Sequence, residues 1–231
     1  MAGQSPVVAV QVRMSSARFP GKALAELQGR TVIEHITNSI QSVGLPCFVL
    51  TSDNPSDDPL VDFLKQKGQA VFRGPLDDVL SRFQLFMRSY SFSHVIRISG
   101  DSPLIHPDVI RRVLADEGRA LFDIRTNLFP RSFPKGQSVE MLSSDTLNSL
   151  SDFPLSFFHR EHVTTYIYEN PGSFEITNFT NVEDLSKLKL CVDYPSDLEK
   201  LSRMLDLFDL SISGGFPSWG ELSLLLKSRA W

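Results

Sequence analysis

Along the chain, short continuous apolar runs alternate with segments whose apolar residues recur every three or four positions. Val7 to Val12 (VVAVQV) is the first run, with the length and continuity of a strand buried on both faces. Over 31–43, Val32, Ile33, Ile36, Ile40 and Val43 fall on one helical stripe. Thr31 and Glu34 form a capping-box pair at its start, and Gly44 follows its end. Cys47 to Thr51 is a second predicted strand, and 58–67 a short helix with Pro59 in its first turn and Gly68 past its end. Further strands are predicted at 70–72, 94–98 and 187–192. Further helices are predicted at 76–90, 107–115, 196–207 (opened by a second capping box, Ser196 and Glu199) and around 219–227. Four strand–helix units in succession predict an α/β fold, a mostly parallel sheet with helices on both faces in three layers. Ligands of such sheets sit where loops leave the carboxyl ends of the strands, so the chemistry is sought there.

Between Arg119 and Thr180 the rhythm breaks. Proline and phenylalanine become frequent (FPRSFPKG, SDFPLSFFHREH), which predicts an insertion from the same sheet, a β-rich arm with a short helix over about 127–180. Such an arm would cover a site or pair with another subunit. Phe129, Phe133, Phe157 and Phe158 suit either a partner surface or a core.

Composition narrows the class. With 231 residues, 42% of them hydrophobic, 22% charged and a net charge of −4, the chain reads as one globular domain, 1–231, and not as a disordered polymer. A mild acidic balance argues against non-specific binding to nucleic acid or anionic membranes. No apolar run reaches the roughly 18 residues of a membrane span. The N-terminus lacks a basic segment ahead of its apolar stretch, so it reads as a short tail entering a strand. Cys47 and Cys191 lie in separate apolar runs and read as two buried thiols, too few for a zinc site. A cytoplasmic protein is expected.

Directly after the first strand come Arg13, Ser15, Ser16, Arg18, Gly21 and Lys22 within ten residues. Backbone N–H groups in such a turn form an anion-binding concavity, and the cations add charge. A merely solvated basic loop has the same composition. The turn is neither a Walker A loop nor a G-x-G-x-x-G dinucleotide fingerprint.

The same residues carry a family resemblance. Gln11 to Leu24 (QVRMSSARFPGKAL) resembles the Q-A-R-M-x-S-x-R-L-P-G-K-x-L signature of the cytidylyltransferases, in the branch of spore-coat polysaccharide biosynthesis protein F, with relatives among CMP-KDO and CMP-sialic acid synthetases. Five further segments resemble that family in order: Val71–Phe83, Arg97–Pro107, Asn127 with Pro134–Leu142, Arg160–Pro171 and Leu190–Leu201. In the fourth of the six, Gln137 and Ser138 replace the usual Leu-Asp. The resemblance implies a Rossmann-like, GT-A-like nucleotidyltransferase fold and transfer of CMP from CTP to an acceptor oxygen, with pyrophosphate leaving.

What this implies for the site is specific. Asp101 and Asp193, each following a predicted strand and each two residues before a proline, correspond to the family's metal-binding aspartates, with Mg2+ as the cofactor. Arg13, Ser15, Arg18 and Lys22 are expected on the triphosphate, Lys22 at the departing phosphates, with Gln11 and Ser16 also nucleotide-binding; Arg13, Lys22, Asp101 and Asp193 are the expected catalytic residues. Arg73, Gly74, Asp78 and Arg82 are expected at the nucleoside, with Ser99 and Asp101 beside it. Asp77 and Asp78 equally suit a helix N-terminus, and Arg82 an i,i+4 pair with Asp78. Arg97, inside a predicted strand, requires an anionic partner, either a neighbouring acid or a nucleotide phosphate. Asn127, Lys135, Glu140, Arg160, Glu161 and His162 are expected around a small anionic acceptor, with Arg131 and His159 adding positive charge. Arg160, Glu161 and His162 equally suit a salt-bridge cluster at a helix start, and His162 is not expected to act as a general base. The acceptor is a nonulosonic or KDO-like sugar acid for surface polysaccharide or, given Gln137 and Ser138, a phosphonate or phosphate ester. A non-catalytic nucleotide-binding protein and a glycosyltransferase are the competing classes, but the acids and Lys22 are retained and an Asp-x-Asp motif does not follow the central strand. The resemblance also implies a homodimer through the 127–180 arm.

Overall fold

The structure, a computed structural model, describes residues 5–115, 122–208 and 217–228. The strands are β1 (Val7–Gln11), β2 (Glu26–Leu27), β3 (Arg30–Thr31), β4 (Cys47–Ser52), β5 (Ala70–Gly74), β6 (His94–Ser99), β7 (Ile124–Thr126), β8 (Glu140–Ser143) and β9 (Ile176–Asn178). The helices are α1 (Val32–Gln41), α2 (Asp58–Gln66), α3 (Val79–Tyr90), α4 (Pro107–Leu114), α5 (Ser144–Ser149), α6 (Phe157–His162), α7 (Thr165–Glu169), α8 (Pro195–Leu207) and α9 (Trp219–Ser228).

Continuous apolar runs become the sheet's centre because both faces are covered. Alternate residues of β1 enter different cores: Val8 and Val10 pack with α1, α4 and α8 on one side, and Val7 and Ala9 with α3 on the other. A seven-stranded sheet in the order β5-β4-β1-β6-β8-β7-β9 results, with β8 antiparallel to both neighbours and the remaining pairings parallel. From β1 the chain moves first to β4 and β5 on one side and then to β6 on the other. The order therefore reverses between β1 and β6, where a crevice opens at the carboxyl ends. Among the described residues no helix is long and apolar enough to cross a membrane.

Several expectations need correction. The 127–180 segment holds less strand and more helix than the expected arm: β8 and β9 lie in the central sheet with β7, and α5, α6 and α7 make most of the rest. Of its phenylalanines, Phe133 is fully buried, whereas Phe157 and Phe158 stay exposed. The predicted strand at 187–192 is instead loop with a single bridge, Lys135 to Lys189. Leu190 N–H donates to Lys135 O and Val192 N–H to Asp101 O, so the segment is held by loop backbones and not by a ladder. Helix α3 begins at Val79, with Asp78 as its N-cap, not at 76. Strand β5 runs on through Arg73 and Gly74. The second capping box is not made by Ser196 and Glu199: Asp197 Oδ2 accepts from the N–H groups of Asp193 and Tyr194. The first one, Thr31 with Glu34, forms as expected. Both cysteines are free thiols. Cys191 is buried and Cys47 half-buried, and desolvation pushes each up to about 12.

Candidate active site

At the carboxyl end of β1 the chain turns away through the basic loop, and Asp57 fixes its start. That carboxylate, fully buried, accepts from Met14 N–H at 2.8 Å, from Thr51 Oγ1 at 2.8 Å, and from the amide and hydroxyl of Ser52. Burial pushes its pKa up, but these donors outweigh that and hold it below the ordinary carboxylate value. Within an acid-rich helix start (SDDP), nothing in the sequence separates Asp57 from its neighbours.

Beyond β6, Gly100 N–H donates to Gln11 O at 2.8 Å, drawing the loop against β1. A Cβ at Gly100 would lie 2.4 Å from Val12 Cβ, so glycine is required for this approach. Opposite, Gly136 (φ 96°) lets 135–137 lie directly on Leu190 and Cys191, where a Cβ would meet backbone at 2.6 Å. These two contacts bring Asp101 and Asp193 to one rim. Lys22 Nζ lies between them, 3.4 Å from Asp101 Oδ2 and 3.9 Å from Asp193 Oδ1, and donates to Val192 O at 2.8 Å. Arg18 Nη2 donates to Asp193 Oδ1 at 2.5 Å, and Lys189 reaches Asp193 at 3.1 Å and Asp197 at 2.7 Å. Lys189 and Asp197, eight residues apart, were not singled out from the sequence.

A cleft of about 330 Å³ opens beside this rim, lined by Gln11, Arg13, Ser16, Arg18, Lys22, Arg82, Ser99, Asp101, Glu161 and His162 among others. Ten of the expected residues therefore meet there. Arg13 pairs with Glu161 at 3.0 Å, and Arg160 with Asp78 at 2.9 Å, so two ion pairs latch α6 across the cleft onto the basic loop and the α3 N-cap. Burial raises the Asp78 carboxyl, but the hydrogen bonds of Ser81 and Arg160 prevail and leave it below its ordinary value.

Other expected residues are used differently. Arg73 donates to Ser52 O and Asn54 O and pairs with Asp58 at 2.8 Å, outside the cleft lining. Gly74 leaves room for Arg82, whose Cγ would be 3.0 Å from an added Cβ. Arg82 is not paired with Asp78. It is buried and donates to the carbonyls of Pro75 and Leu76, and burial brings its pKa down to about 10. Ser15 is exposed and does not line the cleft. Arg97 has Glu140 as its anionic partner and also donates to Gln11 Oε1 at 2.9 Å.

A second cavity of about 270 Å³ adjoins the cleft, sharing Ser99 and His162 with it, and is also lined by Arg97, Ser138, Glu140, Thr164 and Tyr168. Glu140 is only 2% exposed and is saturated by Arg97 and by Tyr168 Oη, which donates to it at 2.8 Å. Burial and Glu140 keep the phenol above its ordinary pKa, so Tyr168 is neutral. Asn127 is buried, with its side chain spent on Gln137 O and Val139 N–H. Lys135 is exposed and lines neither cavity, and His159 pairs with Glu169 at 2.8 Å. Gln137 is fully buried, bonded to Leu104 O and His106 N–H, and so braces the loop that carries Asp101.

Among the described residues no cluster of three or more His, Cys, Asp or Glu side chains forms a complete metal cage. The two carboxylates around one ammonium nevertheless mark a place where a cation is stable, and two carboxylates are what Mg2+ takes when phosphates and water complete its shell.

A switch-point crevice with a cationic loop on one lip and paired acids behind it defines a nucleotide-binding α/β protein whose rim is arranged for phosphate chemistry. The sequence profile of the cytidylyltransferase family matches residues 7–222, and the chain belongs to that family. A cytidylyltransferase from Leptospira borgpetersenii has the same fold, with a TM-score of 0.84 at 25% identity over 99% of each chain. Spore coat polysaccharide biosynthesis protein SpsF of Bacillus subtilis is 26% identical over 84% of each chain. A 3-deoxy-manno-octulosonate cytidylyltransferase of Aeromonas salmonicida is 34% identical over 46% of this chain and 44% of its own.

Proposed function

We propose that the chain transfers CMP from CTP to a sugar acid of the nonulosonic or 3-deoxy-manno-octulosonate kind for surface polysaccharide synthesis. An acceptor oxygen attacks the α-phosphorus, the bond to the bridging oxygen breaks, and pyrophosphate leaves. The observation that carries this reading is Lys22 set between Asp101 and Asp193 at the lip of the cleft that Arg13 and Arg18 also line. Triphosphate oxygens would replace the acids as partners of these three cations, with Arg suited to bidentate contact and Lys to a point charge. Gln11, at the end of β1, and Ser16, in the loop after it, line the same cleft, and so does Arg82, which donates to the carbonyls of Pro75 and Leu76. Asp101 and Asp193 would hold Mg2+, which when bound neutralises phosphate charge. The acceptor would occupy the adjoining cavity, which shares His162 of α6 with the cleft, while Glu161 lines the cleft and Arg160 holds α6 to Asp78.

A phosphonate or phosphate-ester acceptor is the second reading. It is favoured by Ser138, which faces Arg131 with a hydroxyl in place of a carboxylate. We place the protein in the cytoplasm as a homodimer, with Phe157 and Phe158 toward the partner and with neither nucleic acid nor membrane as a ligand. Pyrophosphate release tests the reaction, with each triphosphate offered against sugar-acid and phosphonate acceptors. CTP with one acceptor class supports it, and release from no triphosphate refutes it. Product mass separates a CMP ester from a CDP-linked or CMP-phosphonate compound.

A further inference from the structure

The charge around the second cavity does not cancel. Arg97 and Glu140 neutralise each other, and Tyr168 stays protonated. Arg131 remains. Both terminal nitrogens of its guanidinium lie on one oxygen, Ser138 Oγ, at 3.1 and 3.2 Å. No carboxylate among the described residues pairs with it, whereas Arg13, Arg18, Arg97 and Arg160 each meet one, and Arg82, which also lacks one, is instead held by backbone carbonyls. Glu140 is close enough to act on Arg131 electrostatically, but its oxygens are given to Arg97 and Tyr168. Burial lowers the Arg131 pKa from its ordinary value, so the group is a poorly hydrated cation.

Two donors sharing one hydroxyl leave a planar guanidinium short of the two-oxygen partner it fits best. Ser138 lines the cavity and Arg131, which does not, lies one hydrogen bond behind it, so an anion that displaces the serine hydroxyl can take those donors. Lys135 and His159, the other cations the sequence places in this region, are out of contention. The first points to solvent and the second is taken by Glu169.

We propose that Arg131, left unneutralised because residue 138 is serine, selects the acceptor by pairing with its carboxylate or phosphonate group. This rests on the transferase reading above and names the two residues that set the acceptor's charge. A carboxylate at 138 would fill the fork internally and remove the preference for an acid.

The experiment compares wild-type protein with Ser138→Asp, Arg131→Gln and Arg131→Lys, using pyrophosphate release from CTP. The acceptors are 3-deoxy-manno-octulosonate, N-acetylneuraminate, the C1 carboxamide of each, and phosphonoacetate. The expected result is that wild type prefers acid over amide, and that Ser138→Asp and Arg131→Gln lose at least tenfold of that preference through the acceptor KM. KM for CTP should be unchanged, and Arg131→Lys should recover part of the preference. Turnover in which acid and amide serve equally well in wild type, or a preference that survives both Ser138→Asp and Arg131→Gln, overturns the proposal while leaving the transferase reading intact. Absence of pyrophosphate release with every acceptor overturns both.

Discussion

Lys22 touches both acids of the rim and a backbone carbonyl, so its ammonium is fixed by three partners from two distant parts of the chain. On the proposed reading, an ammonium already positioned at the rim would stabilise developing phosphate charge. Lys22→Ala should therefore lower kcat by roughly 10²-fold or more, with a smaller change in nucleotide affinity, as read by steady-state kinetics and calorimetry. Near-normal turnover would remove Lys22 from the chemistry. The buried pair of Arg97 and Glu140 makes a different kind of prediction. Removing one partner, as in Glu140→Leu, leaves an uncompensated charge and should cost about 3–5 kcal/mol in denaturant unfolding. Replacing both, Arg97→Met with Glu140→Leu, should recover most of it. At this scale the sequence showed that Arg97 needed an anion but could not say which, because Glu140 lies 43 residues away on an antiparallel neighbour. The basic loop and Asp101 come to the rim because they follow β1 and β6 closely, whereas Asp193 follows a loop segment with a single bridge. The sequence reading assigned Asn127 and Glu140 to an acceptor; in the structure Asn127 is bonded to Gln137 and Val139, while Glu140 lines the second cavity with its carboxylate held by Arg97 and Tyr168, partners that only the packed structure reveals.

Elements deliver those residues through loops that approach one another closely. Gly100→Ala would drive a Cβ into Val12 and should destabilise by about 1–3 kcal/mol, with a loss of activity larger than stability alone explains, because Asp101 moves with the loop. Equal activity per folded molecule would contradict this. The α1 cap gives a pH-dependent counterpart. Burial pushes the Glu34 carboxyl up, but Lys67 and the Thr31 backbone and hydroxyl prevail and bring it down to about 2 from an ordinary 4.5. A depressed folded pKa contributes stability that is fully present above about pH 5 and is lost as pH falls toward 2. Glu34→Gln should accordingly be less stable than wild type at neutral pH, with the gap closing through that window; a constant gap would contradict the assignment. This cap was legible because Thr31 and Glu34 sit three residues apart. The segment carrying Asp193 was misread as a strand because an apolar run reports burial and not pairing, and its partners here are loop backbones. Likewise β8 and β9 were assigned to an arm, since short strands with irregular connections carry little periodic signal.

For the whole molecule, the order β5-β4-β1-β6 determines where function can lie. It places the carboxyl ends of β1 and β6 side by side, and α6 then closes over them through Arg13–Glu161 and Arg160–Asp78. An acidic chain thus concentrates Arg13, Arg18 and Lys22 at this crevice. The measurement that bears most directly on this account is pyrophosphate release from CTP and Mg2+ by wild type, Asp101→Asn and Asp193→Asn, each checked for an intact fold by circular dichroism. One pyrophosphate per CMP transferred, with a loss of roughly 10²-fold or more in either variant, is the predicted result. Folded variants that turn over at the wild-type rate would contradict it.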